Sequence, residues 1–200
     1  MPALRLLESV LEPLAARLQP GRIVELSGSS EGHARTSTAV SILRHVQHAG
    51  ETAAWIQPQH GTLFPPDLHE AGIDLDALVV VHVARDVTGM CKAAELLIRS
   101  GAFGLVVVDL VDTPLSAPSA SAWLGRMLGL ARQHVCHVVL LTDKPTHADS
   151  VGTLVGLRIA SQRHCDPQGG FVVEHHVIKN KSGAPFDVAR DRYRGPDGLS

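Results

Sequence analysis

This sequence predicts an α/β fold with a mainly parallel central sheet, and three observations carry the prediction. Apolar segments of strand length alternate with segments of helical spacing at the interval of strand–helix–strand units. Gly104–Asp109 is a continuous apolar run bounded by a loop on each side, as a strand covered on both faces requires. Arg22–Leu26 alternates like a strand, runs into a loop of small residues and is followed by a helix.

In chain order, Leu4, Leu7, Val10, Leu11, Leu14 and Leu18 fall at helical spacing and end at Gln19-Pro20-Gly21, which predicts an amphipathic first helix. Arg22–Leu26 is the first strand, residues 27–32 the loop, and Val40, Leu43 and Val46 mark a helix from Thr36 closed by Ala49-Gly50. Thr52–Ile56 is the next strand. The stretch through Pro66 is broken by Pro and Gly and is expected not to be regular helix. A short helix over Asp67–Ala71, a strand over Leu78–Val83 and a helix over Thr88–Ser100 follow. After the Gly104–Asp109 strand, a Pro/Ser-rich loop leads to a helix over Ala120–His134 and a buried strand over Val135–Thr142. Leu154–Ala160, Phe171–Ile178 and Phe186–Tyr193 read as three further strands that extend the sheet with antiparallel pairing. The expected organisation is an N-terminal amphipathic helix over 1–20, one core domain over 21–194 and a flexible tail over 195–200. No internal repeat is visible.

The 200 residues, 44% of them apolar, suffice for one domain with a real core. Eighteen basic against 20 acidic side chains give a net charge of -2, which lacks the positive field of a dedicated nucleic-acid binder. With 4% aromatics, stacking platforms for single strands are scarce. There is no apolar run long enough for a bilayer and no basic-then-apolar leader, so a cytoplasmic location is expected. Cys91, Cys136 and Cys165 are odd in number and widely spaced, the pattern of a reducing compartment. His134 and His137 flank Cys136, and His164-Cys165 precedes His175-His176, but none of these has the spacing of a known zinc motif.

In an open α/β sheet, ligands bind beyond the carboxyl ends of the strands, here the loops after Leu26, Ile56, Val108 and Leu141. These loops lie among segments that resemble the RecA family of recombinases: Gly21-Arg22-Ile23-Val24-Glu25-Leu26, Ala71-Gly72-Ile73-Asp74, Ile98-Arg99-Ser100-Gly101-Ala102, Val106-Val107-Val108-Asp109 and Lys179-Asn180-Lys181-Ser182-Gly183-Ala184-Pro185-Phe186. The resemblance runs from about residue 20 to 194 and implies a RecA-like P-loop NTPase fold, with ATP and Mg as the family's ligands.

A P-loop reads G-x-x-x-x-G-K-[ST]. Counted from Gly28, its last three places hold His33, Ala34 and Arg35; with a loop one residue longer they hold Ala34, Arg35 and Thr36. The resemblance implies nucleotide contacts from Gly28, Arg35, Thr36, Ser37 and Asp109, with Thr36 and Asp109 toward Mg. It also implies that Lys179 and Lys181 reach a phosphate across a subunit interface. Arginine's broad planar head does not fit the cradle of a compact ammonium unaltered, and a plain surface loop before a helix is an open alternative. Gln59 takes the place of the glutamate that activates water; an amide orients water but does not take its proton. Thr142-Asp143 replaces the Asn-Gln pair that senses the γ-phosphate. The two connections that hold DNA in the family are shortened here to Asp112–Ser119 and Lys144–Thr153.

These departures lead to a degenerate RecA-like accessory factor of DNA repair, with weak or absent ATP hydrolysis. It is similar in kind to the ImuA proteins that accompany an error-prone polymerase in the SOS response. Expected partners are RecA or a translesion polymerase component, with DNA contact indirect, self-association open and the first helix as a docking element. Two alternatives stand: a working RecA-type recombinase or ATPase with a variant P-loop, and a regulator that uses the fold only for protein contacts.

Overall fold

A computed structural model describes residues 14–28, 32–61, 63–84, 86–111, 113, 115, 117–167, 170–183 and 190–193. Eight strands form one sheet: β1 (Ile23–Ser27), β2 (Ala53–Pro58), β3 (Leu78–Val83), β4 (Leu105–Asp109), β5 (His137–Thr142), β6 (Leu157–Cys165), β7 (Phe171–Asn180) and β8 (Arg190–Tyr193). The helices are α1 (Arg35–His48), α2 (Pro65–Glu70), α3 (Val87–Arg99) and α4 (Ala117–Gln133), preceded by a 3-10 turn over Leu14–Arg17. The strand order is β3-β2-β4-β5-β1-β6-β7-β8.

The alternation of side chains along each strand sorts the core into two layers. Ala53 and Trp55, Leu105 and Val107, Val139 and Leu141, and Val24 and Leu26 pack under α1 with Ile42, Leu43 and Val46. Their neighbours Ala54 and Ile56, Val106 and Val108, Val138 and Leu140 pack on the other face against Met90 and Ile98 of α3 and Trp123, Leu124 and Met127 of α4. With helices on both faces, β2, β4, β5 and β1 are buried and their apolar runs are explained. β3 pairs only with β2 among the described residues and exposes Val79 and Val80.

Three expectations need correction. The Pro-containing stretch is helical at its end: α2 starts at Pro65, because a first helical turn needs no internal N–H donor and tolerates proline. β6 is not antiparallel to the sheet it joins; it runs parallel to β1, from Val24↔Leu157 to Ser27↔Ala160, and antiparallel pairing begins at β7. It also runs on to Cys165, with the register shifting between Arg158 and Ile159 against β7. Residues 1–13 of the expected first helix, residues 184–189 before β8 and the tail lie outside the described residues. No described helix is long and apolar enough to cross a membrane.

Candidate functional site at the carboxyl edge of β1, β4 and β5

The parallel pairing of β1 with β5 and β6, and of β4 with β2 and β5, brings Ser27, Pro58, Asp109 and Thr142 to one edge of the sheet. The chain leaves β1 at Gly28 and re-enters regular structure at Arg35, the first residue of α1. α1 has no side-chain N-cap: Ala34 holds that position, and the Thr38 hydroxyl donates to the Ala34 carbonyl at 2.8 Å. Its first turn has no acidic residue, so the positive end of the helix faces the loop unopposed by its own sequence.

The descending part of the loop is stitched to β6. The Ala34 N–H donates to the Ser161 carbonyl at 2.8 Å, and the Arg163 N–H donates to the Gly32 carbonyl at 2.7 Å. His33 and Gln162 form the antiparallel bridge between them. Gly32 has a φ of +82°, which its lack of a Cβ permits. Arg35 lies inside the loop, 7% exposed. Its Nη1 donates to the Gly28 carbonyl and to Asp143 Oδ1, the latter at 3.3 Å. Burial, followed by the Arg35 charge, holds the His33 imidazole below its ordinary pKa.

Around this loop, Thr36 is half-buried and Ser37 exposed. Asp109, at the end of β4, is buried, and its Oδ1 accepts the Val111 N–H at 3.1 Å. Gln59 is exposed in the turn after β2, while Gln57 two residues earlier is buried and its Oε1 has no partner among the described residues. The Gln57 amide packs on Gly61 so closely that no Cβ fits there. Gln57 and Asp109 lie on the α1 side of the sheet by strand alternation. The structure therefore groups Gly28, Arg35 and Thr36 at one strand end and sets Asp109 at a nearby one.

Lys179 and Lys181 are engaged within the chain. Lys179 Nζ donates to Ser150 Oγ at 2.9 Å and the Gly152 carbonyl at 3.1 Å, and Lys181 Nζ donates to the Thr153 carbonyl at 2.5 Å. Burial, then the neighbouring Lys181 charge, lowers the Lys179 pKa. Both lysines hold the β5–β6 connection, the same segment that a buried pair fixes from below. Glu25 is wholly buried; its carboxylate accepts the Thr142 hydroxyl at 2.8 Å and the Val151 N–H at 3.0 Å. Arg158 Nε lies 3.8 Å from Glu25 and donates to Ser27 Oγ at 3.0 Å. The Arg158 guanidinium also donates to the carbonyls of Lys144, Pro145 and Ala148.

Sequence reasoning missed this pair, since Glu25 and Arg158 are 133 residues apart and each reads as a strand residue of no special spacing. It missed a second chain of contacts for the same reason. Ser161 Oγ is 2.9 Å from His175 Nδ1, whose Nε2 is 3.0 Å from Asp191 Oδ2. Ser161 and His175 are both buried in the sheet, so the chain of three ties β8 through β7 to β6, the strand to which the loop is hydrogen-bonded. Among the described residues, no three His, Cys, Asp or Glu side chains come together as a metal-binding group.

Two groups in the described part of the loop that a nucleotide would meet are already engaged within the chain. The guanidinium that would meet a phosphate is held by a carbonyl and a carboxylate, and the Ala34 N–H already donates to β6. A bound phosphate requires both contacts to rearrange or to be bypassed.

A family model described as the RecA N-terminal domain matches residues 15–121. Protein RecA of Acinetobacter baylyi is 31% identical over 86% of this chain and 58% of its own length. Protein RecA of Corynebacterium jeikeium is 38% identical over 90% of this chain and 56% of its own length. The chain thus spans less than three-fifths of these relatives. Among solved structures, the RadB recombinase superposes with a TM-score of 0.63 at 17% identity, covering 87% of this chain and 88% of that one; that likeness concerns the fold. Residues 15–121 include β1, β2, β3 and β4, and by this match and these relatives the chain belongs to the RecA family.

Proposed function

We propose that this chain is an accessory member of its family that serves DNA repair or recombination through protein contacts, with ATP hydrolysis weak or absent. The observation that carries this reading is Arg35, turned into its own loop and held by the Gly28 carbonyl and the Asp143 carboxylate. A phosphate-binding cation already satisfied by an internal anion loses most of its attraction for an external one. The exposed amide of Gln59 supports the same reading, because it has no basic oxygen to take a proton from water. On this reading the partner is a RecA filament or a translesion polymerase component in the cytoplasm, and contact with DNA runs through that partner.

The test measures ATP turnover with and without single-stranded DNA, alongside capture of purified RecA and of a translesion polymerase. Capture without turnover is the expected result; turnover at the rate of an active recombinase, or capture of neither protein, sinks the reading. One observation favours the working ATPase as a second reading: among the described residues the buried Oε1 of Gln57 has no partner, and it lies on the same side of the sheet as Asp109. There Gly28, Arg35, Thr36, Ser37 and Asp109 hold Mg-ATP, and Lys179 and Lys181 leave residues 150–153 to reach a neighbouring copy. Its test is self-association that depends on Mg-ATP and is lost in Lys179→Met.

A further inference from the structure

β8 is a strand of four residues at the outer edge of the sheet. Among the described residues it pairs with β7 alone, from Phe171↔Tyr193 to Glu174↔Arg190. Its described side chains, Arg190, Asp191 and Arg192, are all charged, and each meets a partner outside β8. Arg190 Nη2 donates to Glu174 Oε1 at 3.1 Å, directly across the strand pair. Arg192 Nε lies 3.6 Å from Asp166 Oδ2, one residue past the end of β6. On the opposite face, Asp191 Oδ2 is 3.0 Å from His175 Nε2. The inner strands are fastened by apolar burial between two helix layers; these three side chains add charge contacts instead. A strand this short, paired on one side, gains little beyond its ordering entropy from main-chain bonds alone.

We propose that β8 is an electrostatic latch, a strand that docks and undocks while the rest of the sheet stays folded, with ionic strength setting the docked fraction. The contacts divide the work. The Arg190 and Arg192 side chains are 71% and 70% exposed, so dissolved salt reaches both pairs and screens them. The Asp191–His175 contact is shielded, with side chains 16% and 1% exposed, and it fixes the register: a slip of one residue would turn an arginine toward His175. The Arg190 hydrogen bond holds the Glu174 carboxyl below its ordinary pKa, as a formed pair requires. Undocking frees the outer edge of β7 at Phe171–Glu174 and takes Asp191 from the Ser161–His175 chain. The latch thereby couples ionic conditions to the opening of a sheet edge.

Amide exchange of the full chain tests this, read by mass spectrometry at one pH in about 0.05 M and about 1 M sodium chloride, where the screening length falls to about 3 Å. An unfolded peptide in the same salt corrects for exchange chemistry. Protection of Arg190–Tyr193 and Phe171–Glu174 is expected to fall about fivefold in the higher salt, as loss of two exposed pairs predicts, while β4 and β5 stay unchanged. The double variant Arg190→Gln/Arg192→Gln is expected to show the lowered protection at both salt concentrations. Asp191→Asn, which keeps the shape, is expected to lower protection in both and to retain the salt step. Salt-independent protection of β8 in the unaltered chain overturns the proposal, and so does a loss spread evenly over the sheet. A double variant that keeps the full salt step overturns it too, since the arginines then do not carry the response. Should that variant not fold, the salt comparison on the unaltered chain decides by itself.

Discussion

At the scale of single residues, polar side chains buried at the sheet edge decide more than the apolar ones around them. Arg158, 1% exposed, reaches Glu25, Ser27 and three carbonyls of the β5–β6 connection. Truncating one partner of such a pair strands the other charge in a low dielectric, which costs about 3–5 kcal/mol. Arg158→Ala is therefore expected to lower the unfolding free energy by that amount in a urea titration, and a loss below about 1 kcal/mol, the range of exposed pairs, would show the pair is not structural. The thiols offer a second check. Burial pushes the Cys136 thiol up to about 12 and Cys91 to about 11, while Cys165 is exposed. Since the thiolate is the nucleophile, iodoacetamide is expected to label Cys165 in the folded protein and Cys136 only after denaturation, as read by mass spectrometry of the peptides.

At the scale of elements, the β5–β6 connection is short but over-determined. Glu25 and Arg158 hold it from below, and Lys179 and Lys181 hold residues 150–153 from β7 and the residue after it. Lys179→Met keeps the aliphatic stem and deletes both hydrogen bonds. Amide exchange within residues 150–153 is expected to accelerate while exchange in β4 and β5 stays unchanged, because loops open locally without global unfolding. Uniform acceleration across the sheet, or none anywhere, would contradict the lysines' role as a local clamp. The apolar strands at this scale were legible in the sequence, since two-faced burial leaves continuous apolar runs. The pairing of Gly32–Ala34 with Ser161–Arg163 was not legible, because a hydrogen bond between main chains far apart in sequence leaves no mark on side-chain type.

At the scale of the whole molecule, stability depends on pH through imidazoles held neutral by the fold. Burial, with the His45 charge second, lowers the His137 pKa below its ordinary 6.5, and burial with Arg35 does the same to His33. Both shifts are downward, so the unfolded chain takes protons first as the pH falls. Stability is full above about 6.5 and is lost below it, through the lowered folded-state values. Denaturant midpoints are expected to fall between pH 7.5 and pH 5, with a shallower fall in His137→Gln; a midpoint that rises on acidification would reverse the assignment.

By itself the sequence determined the layered α/β architecture and the family, because strand and helix periodicities and the motif segments Gly21–Leu26, Ala71–Asp74 and Val106–Asp109 are local properties of the chain. It also marked Arg35, Gln59 and Asp143 as departures, since each occupies a motif position with the wrong chemistry. Only the tertiary structure decided what those departures do. Arg35 meets Asp143 across 108 residues, Lys179 and Lys181 turn to residues 150–153, and Gln57 is buried where Gln59 is exposed. The physical reason is common to all three. A charge or an amide takes its role from the partners that surround it, and those partners are set by the crossing order of strands, which residue types along a chain do not encode.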